Sequence, residues 1–149
     1  MVLGLEWLPK LEDSLLPEEE LKAEKLFQHK FSMVKLESLK KSNQFKKALK
    51  EKKVHSDFFS IFAAKNFYKP KFKTDLLISF VMKKKIGNAV KRNKIRRKLK
   101  AIVQKLLKKR GAISKDYTYI VFGKSNAYIQ KQSKLMSLME KGFNKIKIK

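Results

Sequence analysis

The sequence predicts an α+β sandwich in which a mixed sheet of three to four strands carries a long basic helix. Three observations lead there. Leu76–Met82 and Tyr117–Gly123 are short, uncharged, largely apolar runs of the kind that buried strands require. Between them, Ile95, Leu99, Ile102, Val103, Leu106 and Leu107 recur at i, i+4, i+7, i+8, i+11 and i+12, one apolar stripe on a helix. Strands joined through a long helix imply a mixed sheet, and the expected element order is α-β-β-(β)-α-β-α.

In chain order, residues 1–32 hold four Lys and seven acidic residues, a net of −3, and read as an acidic N-terminal extension, partly helical or disordered. Pro17 before Glu18-Glu19-Glu20 suits a helix start, with acids at the positive end of the dipole. Glu6 interrupts the one apolar stretch that could resemble a signal peptide. Met33 is an alternative start, and residues 33–149 form the expected domain. Leu36, Leu39, Phe45, Ala48 and Leu49 fall at roughly helical spacing, which predicts a helix over about 42–51, with Ser42-Asn43 as a polar break or cap. Val54–Ala64 reads as one strand, with Phe59 and Ile61 on one face and Ser60 and Phe62 on the other. Asn66–Lys73, containing Pro70, reads as a loop. Gly87-Asn88 ends a loop and caps the long helix, and Gly111 stops it. A last helix is expected over Tyr128–Ile146, buried through Ile129, Leu135, Met136, Leu138, Met139 and Phe143.

Charge narrows the partner. The 149 residues carry 38 Lys+Arg against 13 Asp+Glu, a net of +25, while 43% hydrophobic content supplies a real core. The domain holds 34 basic and six acidic residues, a net of +28, and no acid occurs from Leu76 to Lys115. Such self-repulsion calls for a polyanion. The absence of cysteine excludes disulfides, thiolate metal sites and a Cys nucleophile. The seven-residue run Leu76–Met82 is far short of the roughly 20 residues of a membrane span.

Lys83–Lys100 concentrates the chemistry. A charge run on a helix is ordinarily a solvated face, but such faces mix signs to form i,i+4 pairs, and this one has no acid. Lys94, Arg97, Lys98 and Lys100 are expected outward, with Arg92, Asn93 and Arg96 near the helix start, where free N–H groups favour phosphate. Arg forks to phosphate and Asn reads a sugar or base edge. The domain's six acids form no dense carboxylate cluster of the two-metal type, and His55 is its lone histidine, read as a surface or strand-end residue. No catalytic and no metal-ligating residue is expected.

Lys84-Lys85-Ile86-Gly87-Asn88-Ala89-Val90-Lys91-Arg92-Asn93-Lys94-Ile95-Arg96-Arg97 resembles the signature of the bacterial ribonuclease P protein subunit. Leu39-Lys40-Lys41-Ser42-Asn43-Gln44-Phe45 is similar to the family's opening, and Asp116-Tyr117 to the entry of its last strand. The departures are conservative in charge: Lys94 and Lys100 stand where the family has Arg, and lose the bidentate fork. Leu49 replaces one ring of an aromatic pair with Phe45, Phe62 stands for a Tyr, and a proline after the last strand is replaced near Asn126.

The resemblance implies a fold like the ribosomal-protein S5 domain 2-like fold and a subunit that does not itself cut RNA. A catalytic RNA partner, in a 1:1 complex, would hold Mg²⁺ and remove the 5′ leader of precursor tRNA in the cytoplasm. It implies two surfaces. Lys84, Lys85, Lys91, Arg92, Asn93, Lys94, Arg96, Arg97 and Lys100 would contact the catalytic RNA. Phe45, Leu49, Ser60 and Phe62 would hold the single-stranded leader in a cleft, by base stacking that tolerates sequence variation. The rival to this reading is a ribosomal or other structural RNA-binding protein with no role in tRNA cleavage, and no leader cleft. A membrane-surface protein would need a free apolar helix face, which the sheet should occupy. Neither DNA nor membrane is expected as a partner.

Overall fold

In the computed structural model the chain divides into two units, Met1–Met33 and Val34–Lys149. The structure describes residues 34–66 and 75–148, with Lys22 alone before them. The expected N-terminal extension, and most of the expected loop at Asn66–Lys73, lie outside the described residues.

The second unit runs β1 (Leu36–Glu37), α1 (Ser42–Lys50), β2 (Lys52–His55), β3 (Phe59–Lys65), β4 (Leu76–Met82), α2 (Ala89–Lys108), β5 (Tyr117–Gly123) and α3 (Gln132–Ile148). Single 3₁₀ turns at Lys84–Ile86 and Ser125–Ala127 precede α2 and α3. The sheet order is β1-β4-β5-β3-β2. β1 pairs with β4, and β4 with β5, in parallel. β5 pairs with β3, and β3 with β2, antiparallel. The α+β class and the mixed sheet stand as expected.

The sheet has five strands, not three to four. Two features hid the difference. β1 is two residues long, pairing Leu36 with Leu76 and Glu37 with Leu77, too short to show a period. The run Val54–Ala64 is two strands, folded back at Ser56–Phe58, where Ser56 N–H donates to Phe59 O at 2.9 Å.

Alternation divides the sheet into two unequal faces. Phe59, Ile61 and Ala63 of β3, Leu76, Ile78 and Met82 of β4, and Tyr119 and Val121 of β5 join the buried stripes of α2 and α3 in the main core. Ile95, Leu99, Ile102 and Val103 of α2, and Leu135, Met139 and Phe143 of α3, are fully buried there. Gly142 lets α3 close on the sheet, since a Cβ there would lie 3.1 Å from Ile61 Cδ1. Ile129, expected on the apolar face of the last helix, is 88% exposed, because α3 begins only at Gln132. The opposite face has a smaller cluster, Leu39, Ala48, Ala64 and Ile120, with Phe45, Phe62, Val81 and Phe122 against it. The nine-residue α1 is its only helical cover among the described residues. Part of this face therefore stays open. Among the described residues no helix is long and apolar enough to cross a membrane.

Candidate nucleic-acid interface

The start of α2 is built by local backbone chemistry. Gly87 sits at φ 143°, a region L side chains rarely adopt, and a Cβ there would also lie 3.1 Å from Lys91 Cδ. Asn88 follows in extended conformation as N-cap, its Oδ1 accepting from Lys91 N–H at 2.9 Å. The Gly-Asn pair thus turns the chain from β4 into a helix whose first turn is wholly free of acid.

Beyond the cap, Asn93, Arg96, Arg97 and Lys100 are exposed and fall at i, i+3, i+4 and i+7, a single stripe opposite the buried Ile95 and Leu99. Asn93 Oδ1 accepts from Arg96 Nη1 at 3.0 Å, which holds the guanidinium on that stripe. Lys84 and Lys85 are exposed on the entry turn. Lys91 and Lys94 place their ammonium groups over the Tyr128 ring, 5.4 and 4.8 Å from its centroid. Arg92 is half-buried, and its Nε is enclosed with no hydrogen-bond partner among the described residues. A donor left unpaired in this way is costly.

Lys98 departs from the outward position expected of it. It is half-buried, and its Nζ donates to the carbonyls of Gln130 (2.7 Å), Tyr128 (3.0 Å) and Ala127 (3.2 Å). Its charge is spent on tying the β5–α3 connection to α2, which seats Tyr128 beneath Lys91 and Lys94.

The open face of the sheet forms a cleft of about 440 Å³. Leu49, Ser60 and Phe62 line it together. Phe45 packs into the small cluster beside Phe62 and is not among the lining residues. The floor is an aromatic chain: Phe62 stands edge-on to Phe122, with centroids 5.4 Å apart, and His55 edge-on to Phe62 at 5.8 Å. His55 Nδ1 lies 2.9 Å from Ser60 Oγ. Lys83, Lys85 and Lys124 stand on the rim. Lys85 belongs to the α2 entry as well, so the basic helix and the aromatic cleft are one continuous surface.

His55, Phe122, Lys83 and Lys124 were not anticipated in this cleft. In one strand over 54–64, His55 would share the Phe59 and Ile61 face. The turn at 56–58 pairs it instead with Ser60, and so turns it to the cleft. Phe122 comes opposite Ser60 only through the β3–β5 register. Alternation within Tyr117–Gly123 puts it on the face of Ile120, the one signal in the sequence that could have pointed to it.

A basic helix mounted on a mixed sheet, beside a cleft floored by rings and rimmed by lysines, marks a basic α+β protein of the nucleic-acid-binding class. The chain belongs to the Ribonuclease P family, whose sequence model matches residues 33–147. The ribonuclease P protein component of Mycoplasma mycoides subsp. mycoides SC is 34% identical over 83 residues, 56% of this chain and 72% of that one. The fold is that of the RNase P protein of Staphylococcus aureus, with a TM-score of 0.55 at 22% identity over 74% of this chain and 94% of that one. It is equally that of the Thermotoga maritima protein, with a TM-score of 0.54 at 23% identity over 70% and 96%. Membership implies a ribonuclease P RNA as partner.

Proposed function

We propose that this chain is the protein subunit of a ribonuclease P ribonucleoprotein. It binds the catalytic RNA through Lys84, Lys85, Lys91, Arg92, Asn93, Lys94, Arg96, Arg97 and Lys100. It holds the 5′ leader of precursor tRNA in the cleft of Leu49, Ser60 and Phe62, with Phe45 behind Phe62. In doing so it supports endonucleolytic removal of the leader, which yields the mature tRNA 5′ end. The observation that carries this is the continuity of the two surfaces through Lys85, which lets one protein touch an RNA partner and a single strand at once.

The hydrolytic step belongs to the RNA in this reading. Among the described residues no group of three His, Asp or Glu side chains is placed to hold a metal ion. The cation is held mainly by the RNA subunit, in a 1:1 complex in the cytoplasm. The chain's own residues position RNA and neutralise phosphate.

Reconstitution with the cognate catalytic RNA and a precursor tRNA at low Mg²⁺ tests the proposal. Added protein should raise cleavage, and unchanged cleavage would sink the reading in favour of a structural RNA-binding role. Arg92→Ala with Arg96→Ala should weaken assembly and shrink the log–log salt slope by about one per lost phosphate contact. Removing residues 1–32 should leave activity intact, since the family match begins at Met33.

A further inference from the structure

A second groove, of about 450 Å³, lies between the β2–β3 turn and α3. His55 lines both this groove and the cleft described above, so the two meet around the end of the edge strand β2. Lys134, Lys141 and Lys145 stand along the groove's α3 wall. At i, i+7 and i+11 they share one face of the helix and span about 16 Å of its length, room for several successive phosphates. All three are exposed, and none forms an ion pair among the described residues. Asp57 is the single acid in the lining. Phe58, on the turn, carries Lys134 Nζ 5.7 Å from its ring centroid, so an aromatic face and a cation stand together at the near end.

We infer that this groove continues the leader cleft and carries the upstream part of a long single-stranded 5′ leader around the edge of the sheet. The inference rests on the reading of the cleft as a leader site. A row of uncompensated lysines beside a ring is the makeup of a single-strand track, with phosphates on the cations and a base on the ring. Two grooves that meet at a strand end suit a flexible single strand, whereas a folded RNA presents a broad, stiff surface. The path runs from the Lys85 and Lys124 rim, past His55, to Lys134, Lys141 and Lys145.

The test compares precursor tRNAs with unstructured leaders of about 4 and about 12 nucleotides, lengths within the usual range of single-strand sites. Each is assayed for binding and cleavage by the reconstituted holoenzyme. The variant is Lys134→Ala with Lys141→Ala and Lys145→Ala, set beside the triple Lys→Arg variant. The expected result is about a tenfold loss of affinity for the long leader only. The long-leader salt slope should fall by about two, three single-strand contacts at roughly 0.7 each. Short-leader cleavage should stay unchanged, and the Arg variant should recover the long leader. Equal losses on both leaders, or no loss on either, would overturn the inference. If wild-type protein stimulates cleavage of neither precursor, the proposed function itself fails, which is a separate outcome.

Discussion

Gly123 ends β5 where that strand passes Met82 and Ile95. A Cβ at this position would overlap Met82 Sδ and lie 2.9 Å from Ile95 Cγ2. Gly123→Ala should therefore cost about 1–3 kcal/mol through forced repacking, read as a lower denaturant midpoint at unchanged m-value. An unchanged midpoint would show that Met82 yields without strain. Tyr119 makes a second test. Its hydroxyl donates to Ser114 O at 2.9 Å from a buried position. Burial first, then the neighbouring Tyr117, hold its phenol well above the ordinary tyrosine range. The folded state therefore keeps a proton that the unfolded chain loses above about pH 10, so this contribution is intact below that pH and is lost progressively above it, as pH rises through the higher value of the folded phenol. Tyr119→Phe should lose about 1 kcal/mol at neutral pH and show a shallower alkaline decline than wild type. A decline of equal slope would place the titration elsewhere.

Among the elements, α2 was the most legible, because its stripe, cap and stop are all local. Ile95 through Leu106 are buried as the period demands, Asn88 caps, and Gly111 follows at φ 76°. Lys98 was not legible, because its three acceptors lie 29 to 32 residues away, in the β5–α3 connection. Lys98→Met keeps the stem and removes the donor. Amide exchange across Ala127–Lys131 should then speed up relative to the α2 core, and stability should fall by about 2 kcal/mol. Exchange unaltered in that segment would mean the turn holds itself. By contrast the ion pair between Lys109, just past the end of α2, and Glu140 of α3 is partly exposed and worth little. α1 opens directly at Ser42, not after a Ser-Asn cap, with Gln44 Oε1 accepting from Lys40 and Lys41 N–H at 3.2 Å each.

For the whole molecule, net charge sets the response to solution conditions. With +25 on 149 residues, the free protein works against its own repulsion. Raising sodium chloride from about 0.05 to about 0.5 M should raise Tm by screening. At the lower salt, where phosphate contacts are strong, a short RNA that binds only the folded state should add about 2.7 kcal/mol of stability at one hundred times its Kd, also read as a higher Tm. A Tm that falls with salt would mean that ion pairs, not repulsion, dominate the electrostatics. The same excess explains why RNA binding could be read early: 34 basic residues against six acids from Met33 onward leave few alternatives.

By itself the sequence determined the α+β class, the apolar face of α2, the two faces of β3, the apolar runs of β4 and β5, and the basic helix start, since periodicity, capping and charge act within a few residues. It also pointed to Ser60 and Phe62 as neighbours on one strand face. The tertiary structure alone decided that β1 completes a fifth strand, that His55 and Phe122 join Phe62 in one ring cluster, and that Lys98 is a clamp. Each of those depends on which distant backbone comes to lie alongside. Strand register and turn position settle that, and a two-residue strand or a three-residue turn leaves no period from which to read it.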